Sequence, residues 1–286
     1  MNGFDIVGDV HGHADQLICL LAKLGYERAC SKSPFAHPDG RRVAFVGDLI
    51  NKGPAPSEVI EIVRGMTDAE SAFAVLGNHE FNLLAAIFLG DKKVQKKYRD
   101  HWDWFRTLPF SLEVGGIRVV HAVWHPTSLD VIAGRTCDDE VFMQRAITEG
   151  SPENQAVKTV LKGIKVPIPG YQEYKDRFGI VRAKGRIRWW LDPNGLTYAD
   201  LLFPFPSGNT FHSAPPVDDL VSVEPYSIDS VPVFIGHYCL PESEPKIHGN
   251  IACVDGCVTC DGVLWGYRYN GERTLESKKL ISSDGY

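Results

Sequence analysis

Three short apolar runs in the N-terminal third each close on glycine followed by Asp or Asn. Phe4–Gly8 leads into Asp9-Val10-His11-Gly12, Arg42–Val46 into Gly47-Asp48-Leu49-Ile50-Asn51-Lys52-Gly53-Pro54, and Ala72–Leu76 into Gly77-Asn78-His79-Glu80. Helical patterns fill the gaps: Ala14–Leu24 with Leu17, Leu20, Leu21 and Leu24, Ser57–Gly65 with Val59, Ile60, Ile62 and Val63, then Glu80–Leu89. Such βαβαβα order predicts a largely parallel sheet with right-handed crossovers. In open α/β sheets, ligands gather beyond the carboxyl ends of the strands, where all three motifs fall.

The rest of the chain is read more coarsely. Ser111–Val114 and Ile117–Val120, split by Gly115-Gly116, form a predicted hairpin, and Val231–Ile235, Asn250–Val254 and Val263–Tyr269 return to strand patterns. Between them, from about 136 to 230, helical stretches (Glu140–Ile147, Gln155–Leu161) give way to Pro-, Gly- and aromatic-rich sequence. That region reads as an insertion or cap on a single domain spanning 1–286.

Composition narrows the class. Hydrophobic residues at 44% and charged residues at 23% exclude a disordered chain. No apolar run is long enough to span a membrane, and the first residues lack a secretory pattern, so a cytoplasmic location is expected. A net charge of −6 argues against nucleic acid as a partner. The seven cysteines are then expected as free thiols. Cys257 and Cys260 have half-site spacing, but with no second pair they read, with Cys253, as buried thiols near a strand turn rather than a zinc site.

His121 ends the second hairpin strand and Gly236-His237 ends a later one, so two Asp, one Asn and several His converge. This nitrogen and oxygen set suits manganese, iron or zinc. A lone Asp after a strand is usually a helix cap, but five motifs after five strands make coincidence a poor explanation.

Together these motifs resemble the calcineurin-like metallophosphoesterase superfamily, in its phosphoprotein-phosphatase branch of bacterial serine/threonine phosphatases and symmetrical diadenosine tetraphosphatases. The resemblance implies an α/β fold of four layers, αββα, with two mixed sheets flanked by helices. It implies two divalent metal ions, manganese foremost, with iron or zinc as alternatives. Asp9 and His11 would bind the first, Asp48 would bridge, and Asn78, His121 and His237 would complete the second; His125 is a rival for either histidine place. A metal-bridging hydroxide would attack phosphorus, with His79 as general acid.

Two departures stand out. Phosphatase relatives carry Asp-Arg where this chain has Asn51-Lys52, so His79 loses the charge that raises a histidine pKa. They also commonly carry Arg before Gly-Asn-His, where this chain has Leu76. Lys52, Arg186 and Arg188 are the expected phosphate contacts, the arginines because alternation would set both on one face of a strand. Glu80 reads as a first-turn acid, Asp255 as a turn residue by default with support of the site as the alternative, and His13, His37, His101, His212 and His248 as capping, surface or packing residues. The expected activity is a phosphatase acting on a phosphoprotein or small phosphoester. Alternatives are a symmetrical dinucleoside tetraphosphatase acting on a dinucleoside polyphosphate, and a non-catalytic metal-binding module.

Overall fold

Side-chain alternation along short buried strands sets the layering. In the computed structural model, which describes residues 3–168, 181–203, 213–216, 220, 223 and 226–284, the chain runs β1 (Phe4–Val7), α1 (Ala14–Lys23), β2 (Arg42–Phe45), α2 (Pro56–Asp68), β3 (Ala72–Ala74), α3 (Asn78–Phe88), α4 (Lys92–Lys97) and α5 (Trp102–Thr107). It continues with β4 (Ser111–Val114), β5 (Ile117–Val120), α6 (Pro126–Val131), α7 (Glu140–Ile147), α8 (Pro152–Lys162), β6 (Lys165–Pro167), β7 (Lys184–Ile187), α9 (Tyr198–Leu201) and β8 (Leu202–Phe203). Last come β9 (Val233–Ile235), β10 (Ile247–His248), β11 (Ile251–Cys253), α10 (Val258–Asp261), β12 (Trp265–Tyr269) and β13 (Leu280–Ser282). His212 lies outside the described residues.

The first sheet has the order β13-β12-β1-β2-β3. β1, β2 and β3 are parallel, as the alternation of strand and helix requires. β12 and β13 add an antiparallel edge from the far end of the chain, so the sheet is mixed. Val7, Val43 and Phe45 face Leu17, Leu20 and Leu21 of α1 and Val59, Ile60 and Val63 of α2. Each of those buried side chains contributes about 1.5–3 kcal/mol of transfer free energy. The alternate residues Ile6, Ala44 and Val46 point the other way and meet Val119, Phe234 and Ala252 of the second sheet.

That second sheet has the order β10-β11-β9-β5-β4, with β9 parallel to both β5 and β11. Its outer face, Val233, Ile235 and Ile251, joins the cluster containing Val157, Val160 and Leu161 of α8. α8 is delimited by local chemistry: Ser151 Oγ accepts from Asn154 N at 3.0 Å, Pro152 occupies the first turn, and Gly163 leaves the helix at φ +86°. Helix, sheet, sheet and helix thus stack as the αββα sandwich. A small third sheet, β6-β7-β8, lies in the region read as an insertion.

One charged cluster is buried at the centre of the first sheet. Asp5 is fully buried in β1. Its carboxylate accepts from Arg41 Nε at 2.8 Å, Arg268 Nε at 3.1 Å and Tyr26 Oη at 3.0 Å. These partners satisfy a charge that would otherwise be costly to bury. Among the described residues, no helix is long and apolar enough to cross a membrane.

Candidate metal centre

Parallel pairing puts the carboxyl ends of β1, β2 and β3 on one side, and the ends of β5 and β9 arrive beside them. The turn after β2 is tight: Gly47 has φ +96° and a Cβ there would press on the Gly77 backbone. Asp48 itself is left-handed, with φ +54°. Glu80 holds this turn. Fully buried, its carboxylate accepts from the backbone N–H of Asp48 (3.0 Å), Leu49 (2.9 Å), Ile50 (3.2 Å) and Gly77 (3.1 Å). Burial, then the charge of Asp48, pushes its carboxyl up to about 8, against the backbone donors. Glu80 is therefore an organiser of the Asp48 loop, beyond the helix-end role that its sequence position indicates.

Asp48 lies at the centre. His11 Nε2 lies 3.6 Å and His79 Nε2 3.8 Å from its Oδ2, and His121 Nε2 lies 3.5 Å from its Oδ1. His11 Nδ1 contacts Ile50 O at 3.2 Å, and His121 Nδ1 contacts Val46 O at 2.8 Å. Each carbonyl accepts the Nδ1 proton and turns the Nε2 lone pair into the site, the second contact typical of metal-bound imidazole. Asn78 Oδ1 sits 3.1 Å from His121 Nε2. Two groups of ligand atoms result, His11–Asp48–His79 and Asp48–His121–His237, each within 4.8 Å and sharing Asp48.

Two buried polar atoms in this site have no hydrogen-bond partner: Asp9 Oδ1 and His237 Nε2. Asp9 Oδ2 accepts from His237 N at 3.0 Å, so the other oxygen faces inward alone. Burial and the neighbouring Asp255 and Asp48 carboxylates drive the Asp9 pKa well up, and burial with the nearby Arg186 and His121 drives that of His237 well down. Orphaned oxygen and nitrogen beside a shared carboxylate are what a divalent cation satisfies, so these residues fit such ions. Asp9, His11, Asp48, Asn78, His79 and His237 line one cavity of about 400 Å³, and His121 is fully buried beside Asp48.

His79 faces Asp48 from the start of α3. Its backbone N–H donates to Asp48 Oδ1 at 2.9 Å. Tyr98 Oη donates to Asn51 Oδ1 at 3.2 Å, which turns the Asn51 amide nitrogen toward His79 Nδ1 at 3.0 Å. That arrangement favours neutral imidazole with its proton on Nε2. Burial lowers the His79 pKa to about 4, although Asp48 opposes the shift.

Other expected residues fall in different places. Lys52 and Arg186 line the cavity. Arg188 is not among its lining residues; β7 ends at Ile187, so the alternation expected through 188 stops, and the Arg188 guanidinium bonds the Asp200 carbonyl. His125 caps α6, its Nδ1 accepting from Ser128 N at 3.2 Å, and so stands outside the ligand groups. Asp255, read as a turn residue with site support as the alternative, is buried and lines the cavity. Sequence reasoning missed Lys165, which lines the cavity together with Arg182, Lys184 and Arg186 of the cationic segment 182–188. The expectation of free cysteines also needs correction: Cys239 and Cys257 are joined in a disulfide. Both flank Asp255, whose carboxylate draws their backbones together, a proximity that the 18-residue separation hides.

The family model for the calcineurin-like phosphoesterases matches residues 4–237, a span that includes every ligand candidate above. The chain belongs to this family. Among curated relatives, the asymmetrical bis(5'-nucleosyl)-tetraphosphatase PrpE of Halalkalibacterium halodurans is 48% identical over 95 residues, which is 33% of this chain and 37% of the relative. The like-named protein of a Geobacillus species is 46% identical over 86 residues, 30% of this chain and 34% of the relative. The matches thus span about a third of those relatives. Among solved structures, a protein serine/threonine phosphatase from Saccharomyces cerevisiae aligns over 98% of this chain and 78% of its own, with 13% identity and a TM-score of 0.49.

Proposed function

We propose that this phosphoesterase-family chain hydrolyses phosphate esters or anhydrides with two divalent metal ions, manganese foremost. Asp9 and His11 hold one ion, Asn78, His121 and His237 the other, and Asp48 both. The observation that carries this reading is the pair of orphaned buried atoms, Asp9 Oδ1 and His237 Nε2, beside two ligand groups that share Asp48. When bound, such ions activate water and neutralise charge on a phosphoryl group. The chain's own residues do the rest. Glu80 fixes the Asp48 loop, Lys52 and Arg186 draw the phosphoryl oxygens in, and His79 presents Nε2–H to the leaving oxygen. The pairing of β1 with β12 supports a single domain around this site.

A second reading concerns the substrate. Lys165, Arg182, Lys184 and Arg186 extend the positive wall beyond the metal ligands. Burial lowers the Lys165 pKa, and so do Arg186, Lys162 and Arg182, a crowding of cations that a substrate with several phosphates would relieve. This favours a dinucleoside polyphosphate over a phosphoprotein. The names of the curated relatives agree, with asymmetrical rather than symmetrical cleavage. Metal-reconstituted protein would be given p-nitrophenyl phosphate, a phosphopeptide and diadenosine tetraphosphate side by side. The proposal expects metal-dependent turnover that is lost in Asp48→Asn, with the tetraphosphate preferred. No turnover of any substrate with manganese, iron or zinc refutes it.

A further inference from the structure

Three cysteines that play no part in this chemistry meet at the lip of the cavity. Cys239 follows His237 by two residues and lines the cavity with Asp255 and Thr259. Its partner in the disulfide, Cys257, is buried. Cys260 is exposed, and its sulfur lies within 4.8 Å of both others. One carboxylate aligns the pair: Asp255 Oδ2 accepts from Cys239 N at 2.6 Å and Oδ1 from Cys257 N at 2.9 Å. Cys239 and Cys257 are also held left-handed, at φ +45° and +66°, conformations that non-glycine residues seldom adopt. The remaining cysteines do not share this arrangement. Cys19 lies in α1, Cys30 between α1 and β2 and Cys137 between α6 and α7, and Cys253 points its thiol at Gly236 O.

We propose that Cys239, Cys257 and Cys260 form a thiol–disulfide site on the rim of the metal cavity, closed by hydroperoxides and reopened by small thiols through Cys260. In closing, the partly exposed Cys239 thiolate attacks a peroxide oxygen, giving a sulfenic acid and releasing water or an alcohol. The Cys257 thiol then displaces the sulfenic hydroxyl as water and forms the Cys239–Cys257 bond. The two thiols lose two electrons and the peroxide gains them. In reopening, the Cys260 thiolate attacks Cys257 Sγ, forming a Cys257–Cys260 bond and expelling the Cys239 thiolate, with no net oxidation. One small thiol attacks exposed Cys260 to give a mixed disulfide, and a second releases it as the oxidised dimer of that thiol. The site borders the metal ligands: the His237 N–H holds Asp9, and Cys239 shares its turn. A change of bond at Cys239 therefore acts on the backbone that carries His237.

The test needs no enzymatic activity, so it stands apart from the proposed hydrolysis. Full-length protein, reduced and freed of thiol, would be treated with hydrogen peroxide, alkylated and mapped by mass spectrometry. The expected result is a Cys239–Cys257 linked peptide with Cys260 alkylated. Reopening by glutathione should slow about tenfold or more in Cys260→Ser, a substitution at an exposed site. In Cys239→Ser, which lacks the thiol that attacks peroxide, Cys257 and Cys260 should both remain open to alkylation after peroxide, and a peroxide-protected Cys257–Cys260 pair there would overturn the assignment of Cys239. Full alkylation of Cys239 and Cys257 after peroxide, or unchanged reopening in Cys260→Ser, overturns the proposal. So does a further zinc ion per chain that disappears in Cys260→Ser, which would make the three sulfurs a metal site instead.

Discussion

Replacing Asn51 by Asp should convert His79 from a poor proton reservoir into a useful one. In the native chain Asn51 presents an amide N–H₂ to His79 Nδ1, held that way by Tyr98. A proton added at Nδ1 would face another donor, and burial already lowers the His79 pKa to about 4. At pH 7 the imidazolium then makes up about one part in a thousand. A carboxylate at 51 would accept the Nδ1–H and add an opposite charge, which raises a neighbouring pKa by about one to three pH units, or about 1.4–4 kcal/mol. Imidazolium at neutral pH should rise by about ten- to five-hundredfold. A general acid matters most for poor leaving groups. At pH 7, kcat for an alkyl phosphate should therefore rise at least about tenfold in Asn51→Asp, with p-nitrophenyl phosphate little changed. Because the acid works protonated, the falling limb of the pH profile should move to higher pH. Tyr98→Phe, which frees the Asn51 amide to turn, should shift that limb in the same direction by less. Equal effects on both substrates, or a limb that stays in place, would refute the role given to His79.

Three other perturbations probe separate parts of the structure. Asp5→Ala strips Arg41, Arg268 and Tyr26 of their shared carboxylate and should cost about 3–5 kcal/mol, read as a lower urea midpoint. Gly236→Ala drives a methyl into Asp9 Oδ1 and should weaken metal binding by about 10–100-fold in calorimetric titration, with the fold kept by circular dichroism. Lys165→Ala with Lys184→Ala should weaken inhibition by inorganic tripolyphosphate several times more than inhibition by orthophosphate.

The strand-end motifs were legible because they combine two local signals: a glycine that allows the sharp turn, and a ligand side chain just beyond it. The hairpin was equally clear, since Gly115-Gly116 separates two β-patterned runs and the register Val114↔Ile117 follows directly. Less local features did not show. Glu80 lies 32 residues from Asp48, and nothing in the sequence between them signals that its carboxylate closes that loop. β6, β7 and β8 are two to four residues long and include Lys, Arg and Pro, so they carry no clear alternation. β13 is a three-residue edge strand whose pairing with β12 depends on the far end of the fold. Asp5 interrupts an apolar run, and only the tertiary approach of Arg41 and Arg268 explains its burial. The candidate ligands could be read because they sit on punctuated strand ends, Asp9 and His11 together after β1 and the others singly, whereas the cysteine pair joins distant loops and the cationic wall lies on the short strands β6 and β7, whose pairing arises only on folding.

The most direct test of the account is a metal-reconstituted crystal structure with anomalous scattering measured at the manganese edge. Two peaks should appear in the cavity, one beside His11 and Asp9 and one beside Asn78, His121 and His237, with the Asp48 carboxylate reaching both. A single peak, or peaks away from Asp48, would contradict the shared-carboxylate centre on which the proposed chemistry rests.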